Sequence, residues 1–189
     1  MARFTVVIDA CVFHGQTLRN LFMRVSLTGL FKAHWTDRIH EEWINSVLRR
    51  LPNVQKDKLL AARDLMDHHV NDAIVTNYEL IEVKLELPDA KDTHVLAAAI
   101  KCKADAIVTF NLKDFPSRIL EQYEIEALHP DDFLAYQIDL SPTTICSSIR
   151  EMRHSLNNPP FTAKEFLALL ARNELPLTVN ALKEYIECI

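Results

Sequence analysis

Four carboxylates stand where a folded chain could gather them for chemistry: Asp9, Glu42, Asp92 and Asp114. Each falls near the predicted end of a strand or start of a helix. Oxygen donors alone select hard divalent cations, and Mg²⁺ or Mn²⁺ so held keeps several waters. Such a site suits phosphodiester hydrolysis by metal-activated water. Carboxylates packed together repel one another, so a cluster of four implies a cation among them. Taken singly, two of the acids have a plainer reading. Asp9 could be a turn or cap carboxylate. Asp92 could sit at the third helical position behind an Asp89 N-cap and answer the helix dipole. Four acids on one crevice edge are harder to explain that way.

The elements that must position them centre on residues 88–116, PDAKDTHVLAAAIKCKADAIVTFNLKDFP. Asp89 and Asp92 open this stretch. Val95, Leu96, Ala98, Ala99 and Cys102 then follow a helical pattern. Ala106, Ile107, Val108 and Thr109 form a short apolar run with the character of a buried strand. Asn111, Asp114 and Phe115 close it. Acids thus flank the helix and follow the strand, and a parallel α/β sheet puts its ligand crevice at the carboxyl ends of its strands. Upstream, FTVVI (residues 4–8) predicts a first strand ending on Asp9. Residues 31–35 predict a second short strand and residues 73–76 a third, with a last strand within 123–128. Helical spacing covers residues 16–28, which Gly29 can end. A further helix begins behind Thr36 as N-cap and carries Ile39, Trp43 and Val47 toward a core. Glu41 and Glu42 are about 100° apart on that helix, so only one of them shares a given site. His68 and His69 resemble a metal pair, but adjacent helical residues do not face each other.

The alternation of strands and helices predicts an α/β domain with a largely parallel sheet over residues 1–140. Residues 141–189 change character and predict three helices and no strand. Ser141 and Pro142 start the first of these, with an apolar stripe of Ile145, Ile149, Met152 and Leu156. Thr162 and Glu165 form a capping box flanked by Phe161 and Phe166. Pro176 starts the last helix. These stripes must pack on one another, on the α/β domain or on a partner.

Composition excludes several classes. Hydrophobic residues make up 49% and charged residues 25%, as in an ordinary globular chain. Two glycines, Gly15 and Gly29, cannot build a Gly-rich phosphate loop. Cys11, Cys102, Cys146 and Cys188 lack zinc or redox spacing. No leader and no membrane-length apolar run is expected, which points to a reducing cytoplasm. The net charge is −5; the last 49 residues hold five basic and five acidic side chains, so the excess lies in residues 1–140. That balance argues against a passive nucleic-acid binder. It leaves room for a metal-dependent nuclease, whose cations offset the charge of their own ligands.

VVIDACVF, WTDRIHEEW, PDAKDTHVLAAA and IVTFNLKDFP together resemble the four motifs of the PIN domain, a family of metal-dependent ribonucleases. The resemblance covers about residues 1–140 and is nearest to the VapC-type toxins of bacterial toxin–antitoxin pairs, with an added helical tail. It implies a central parallel sheet flanked by helices, Mg²⁺ or Mn²⁺, endonucleolytic RNA cleavage, dimerisation and inhibition by an antitoxin. It places Asp9, Glu42, Asp92 and Asp114 as metal ligands, with Asn111 and Asp114 at the polar positions of the fourth motif. Asn111 and Thr109 are expected to orient ligands or water. Lys91, Lys113 and Arg118 are candidates for holding RNA phosphates. Two alternatives remain open. One is a non-catalytic PIN-like interaction module working through its helical tail. The other is an α/β phosphotransfer protein using Asp9 as nucleophile, weakened because Ala10-Cys11 comes next without a second aspartate.

Overall fold

The computed structural model describes residues 3–189. The chain divides into two compact units. One comprises the residues up to His14 together with Phe31–His129; the other comprises Gly15–Leu30 and Pro130–Ile189.

The first unit is built on four parallel strands: β1 (Thr5–Ile8), β2 (Lys32–His34), β3 (Ala106–Val108) and β4 (Glu126–Leu128), in the spatial order β2-β1-β3-β4. β1 reads TVVI, and Val6, Val7 and Ile8 are wholly buried. Apolar β-branched residues on both faces are what a helix-covered parallel sheet demands. Helices are numbered along the chain, and α2 (Gln16–Ser26) belongs to the second unit. The first unit's helices are α1 (Ala10–Phe13), α3 (Asp37–Arg50), α4 (Lys56–His69), α5 (Glu79–Glu82), α6 (Thr93–Cys102) and α7 (Ser117–Leu120). α6 packs on β1 and β3. Its Ala97, Ala98 and Ala99 are fully buried, and such small side chains let the helix lie close to the sheet. The expected α/β architecture with a parallel sheet is present.

Register fixes the edge at which the acids stand. Val6, Val7 and Ile8 pair with Ala106, Ile107 and Val108. The Asp9 amide then donates to the Val108 carbonyl at 3.0 Å. The carboxyl ends of β1 and β3 are therefore level, and Asp9 and Thr109 emerge side by side.

The expected third strand at residues 73–76 is not a strand. Ile74 makes one isolated parallel bridge to Trp35. Trp35 N–H donates to the Ala73 carbonyl at 2.9 Å and Val75 N–H to the Trp35 carbonyl at 2.8 Å. Asp72 and Asn77, on either side, both have φ 59°, so the backbone turns away before a ladder can form.

A buried polar chain locks α3 in rotation. Trp43 Nε1 donates to His40 Nδ1 at 2.9 Å, and His40 Nε2 donates in turn to Asp67 of α4 at 2.9 Å. Trp35 Nε1 donates to the same Asp67 oxygen at 2.8 Å. Burial of His40 lowers its pKa, in keeping with a neutral ring that accepts at one nitrogen and donates at the other. At the start of α3 the Thr36 hydroxyl accepts from Ile39 N–H, the predicted N-cap.

The second unit is all helical. Beside α2 it holds α8 (Pro130–Leu140), α9 (Pro142–Ser155), α10 (Ala163–Arg172) and α11 (Pro176–Lys183). α11 lies along α8, and α2 lies along α9. Ile145, Ile149 and Met152 of the first predicted stripe are buried, as are Phe166, Leu167 and Leu170. Phe22 of α2 and Phe133 of α8 stack with ring centroids 6.1 Å apart. The Thr162–Glu165 capping box is formed in both directions. Among the described residues, no helix is long and apolar enough to cross a membrane.

Candidate active site

Asp9 terminates β1 and is 5% exposed. A buried carboxylate needs donors, and two side chains supply them at Oδ2: the Thr109 hydroxyl at 2.8 Å and the Cys11 thiol at 3.0 Å. Burial first, and then the Asp9 charge, pushes the Cys11 thiol far up. It therefore stays protonated and able to donate. Thr109 Oγ1 in turn accepts from Asn111 N–H at 3.0 Å, and Phe110 N–H donates to Cys11 Sγ at 3.3 Å. The turn after β3 is thus tied to the end of β1 through the back of Asp9.

Glu42 projects from α3, half-buried, while Glu41 is exposed. Glu42 Oε1 lies 3.5 Å from Arg38 Nε, one turn earlier on α3, and 3.0 Å from His94 Nε2 on α6. Arg38 also pairs with Glu82 of α5 at 2.8 Å and donates to the Lys91 carbonyl at 3.3 Å. Thr93 donates to the same Glu82 oxygen at 3.2 Å. This small network ties α3, α5 and the Asp89–Asp92 turn together.

Asp92 precedes α6. Asp89 caps the short 3₁₀ turn Ala90–Asp92 by accepting from Lys91 N–H at 2.9 Å. Asp92 makes no side-chain capping bond, so its carboxylate is not consumed locally. Its pKa is pushed up to about 6, first by burial and then by the charges of Asp9, Asp89, Asp114 and Glu42. The four predicted acids therefore share one electrostatic environment. Asp114 ends the 3₁₀ turn Leu112–Asp114 and is half-buried.

The other expected residues separate into two groups. Thr109, expected to orient ligands or water or to meet the substrate, is fully buried and its hydroxyl donates to Asp9. Asn111, Lys91, Lys113 and Arg118 are exposed. Arg118 lines a groove of about 430 Å³ together with Lys84, Gln122 and Tyr123. Cys11, Arg38 and His94 are additions that the motifs alone do not point to. Each stands at a short fixed offset from a predicted acid: two residues after Asp9, four before Glu42 and two after Asp92.

The donor set fits a hard divalent cation. It is all oxygen, and the charges of Asp9, Asp114 and Glu42 raise the proton affinity of Asp92, a repulsion that a cation relieves. As the side chains stand, no three His, Cys, Asp or Glu groups among the described residues converge at coordinating distance. Glu42, Asp92 and Asp114 are each half-buried.

A PIN domain family model matches residues 5–113, more than half of the chain. The chain belongs to the PIN-domain family. A second family model, the VapC50 C-terminal domain, matches residues 130–184. Over 80 residues the chain is 49% identical to a Mycobacterium tuberculosis protein named "Putative ribonuclease VapC50". That alignment covers 42% of this chain and 47% of the relative, so the chain spans about half the length of the relative it matches. The PIN match contains Asp9, Glu42 and Asp92 and ends one residue before Asp114. The second match starts at α8, within the helical unit.

Proposed function

We propose that this PIN-domain chain is a metal-dependent endoribonuclease, using Mg²⁺ or Mn²⁺, and the toxin of a bacterial toxin–antitoxin pair. The observation that carries the reading is the raised proton affinity of Asp92, to which Asp9, Asp114 and Glu42 all contribute, with Asp9 standing at the carboxyl end of a strand in a parallel sheet. The name of the M. tuberculosis relative, with its match to part of this chain, supports RNA as the substrate. A cognate antitoxin, a homodimer and a cytoplasmic setting belong to the same reading.

Asp9, Glu42, Asp92 and Asp114 would hold the ion or ions. A bound divalent cation supplies Lewis-acid assistance and charge neutralisation at the scissile phosphate. The chain contributes the frame. Thr109 and Cys11 fix the orientation of Asp9 from behind. Asn111, Lys91, Lys113 and Arg118 lie exposed on the segments that bear the acids or directly succeed them, where polar and cationic side chains can hold phosphate oxygens.

The deciding experiment is cleavage of a generic single-stranded RNA by the full chain with and without Mn²⁺, beside Asp92→Asn. Metal-dependent cleavage that the substitution abolishes is expected. Mn²⁺ binding without any cleavage by the unsubstituted protein would favour the non-catalytic interaction module.

A further inference from the structure

α6 is an apolar helix, yet its second residue is His94, which is completely buried. Neither ring nitrogen has an aligned hydrogen-bond partner. An unpaired buried imidazole costs free energy. The helix offers no relief, because its next five residues are Val95, Leu96, Ala97, Ala98 and Ala99. The carboxylate of Glu42 comes within 3.0 Å of Nε2. At that separation a small rotation of the glutamate converts the contact into an aligned N–H···O bond.

The two neighbours of Glu42 differ in what they can do. Arg38 is partly exposed and already committed to Glu82 and to the Lys91 carbonyl. It can leave Glu42 without losing its other partners. His94 cannot leave, since its ring is enclosed on all sides. In a neutral ring one nitrogen donates and the other accepts. Placing the proton on Nε2 gives the donor its carboxylate and leaves only Nδ1, an acceptor, unpaired. Orphaned acceptors are better tolerated than orphaned donors.

We propose that His94 is a positioning residue for Glu42: its Nε2–H holds Oε1 and leaves the second carboxylate oxygen for the divalent cation. This rests on the metal-dependent reading above. Hydrogen-bonded partners behind a metal-ligating carboxylate set its direction, and losing one lowers metal affinity without removing a ligand. His94 touches neither substrate nor cation in this scheme.

The test is Mn²⁺ titration calorimetry on the full-length chain, with thermal melting in the absence of metal. His94→Leu removes the donor; His94→Gln keeps an N–H that reaches Glu42; His94→Asn keeps the amide but falls one methylene short. We expect His94→Leu and His94→Asn to weaken Mn²⁺ binding roughly 10–100-fold, and His94→Gln to recover most of it. Metal-free His94→Leu should melt no lower than the parent, because without metal the Nε2–H is not aligned on Glu42 and the buried Nδ1 has no partner to lose. A merely structural histidine predicts the reverse: a lowered melting temperature and unchanged Mn²⁺ affinity. If His94→Leu does not fold, the Gln–Asn pair decides alone. Equal Mn²⁺ affinity in those two variants, or parental affinity in His94→Leu, overturns the inference while leaving the proposed function standing. A parent protein that binds no Mn²⁺ overturns both.

Discussion

The Thr109 hydroxyl donates to Oδ2 of Asp9 at 2.8 Å across the seam between two parallel strands. The residues are 100 positions apart in sequence. They meet because Ile8 pairs with Val108, so the next residue on each strand occupies the same level of the sheet. The bond does two things. It satisfies a buried carboxylate, and it leaves Oδ1 of that carboxylate outside the bonds that Thr109 and Cys11 make.

Thr109→Val should therefore impair cleavage and Mn²⁺ binding, and Thr109→Ser should restore both. Asp9→Asn should be the more severe change, with cleavage down on the order of 10²-fold or more, by comparison with losing other catalytic charge stabilisation. Rate measurements at saturating Mn²⁺, with circular dichroism to confirm folding, check this. Cleavage by Asp9→Asn at the parental rate would remove Asp9 from the mechanism.

Glu42 and Glu41 provide a matched pair. Glu42 is half-buried beside His94 and Arg38, whereas Glu41 points to solvent. Glu42→Gln should abolish metal-dependent cleavage, and Glu41→Gln should leave it intact. The comparison needs only an RNA cleavage gel, and the opposite ranking would mean that the wrong glutamate has been assigned.

Asp92 makes the site sensitive to pH. Its pKa is pushed up to about 6 by burial and by its acidic neighbours. A carboxyl must lose its proton to bind a cation, so Mn²⁺ affinity should fall as the pH drops below about 6, approaching tenfold per pH unit from this group. The sign for folding is the opposite. The folded state holds this proton more tightly than the unfolded chain, whose carboxyl titrates near its ordinary value of 3.8. Stability from this group is fully present below that value and is lost as the pH rises through about 6. Asp92→Asn should flatten the stability change across this window. Thermal melts of the metal-free protein and its variant from pH 4 to 7 would show an unchanged slope if the reasoning is wrong.

Asp131 of α8 is a stability residue. Its two carboxylate oxygens accept from Leu177 N–H and Thr178 N–H, each at 2.7 Å, at the start of α11. It is 2% exposed. Asp131→Ala strands those amides and should cost about 2 kcal/mol or more. RNA cleavage per folded molecule should not change, since the candidate acids all lie in the other unit. Chemical denaturation checks the first claim, and an unshifted midpoint would refute it.

Much of the site could be read from the sequence because its signals are local. FTVVI before Asp9 reports a buried strand with a carboxylate at its end. PDAKDT reports a turn entering a helix, and Asp89 does cap the 3₁₀ turn that precedes α6. Thr36 caps α3 through its neighbour Ile39, and Thr162 and Glu165 cap each other. Such interactions span three or four residues, so the order of types along the chain suffices to show them.

The tertiary structure decided everything that depends on distant segments meeting. Residues 73–76 have the composition of a strand, but two left-handed residues turn the backbone aside after one bridge. α11 begins at Pro176 behind Leu175, which has no side chain able to cap; the cap comes from Asp131, 46 residues before Leu177. α2 and α8 carry ordinary amphipathic patterns, and only their packing against α9 and α11 assigns them to the helical unit. His94 reads as one polar residue in an apolar helix until α3 brings Glu42 to within 3.0 Å of it. Periodicity tells which face of an element is apolar, but not what that face meets. That is set by strand register and helix packing, which join residues far apart in the chain.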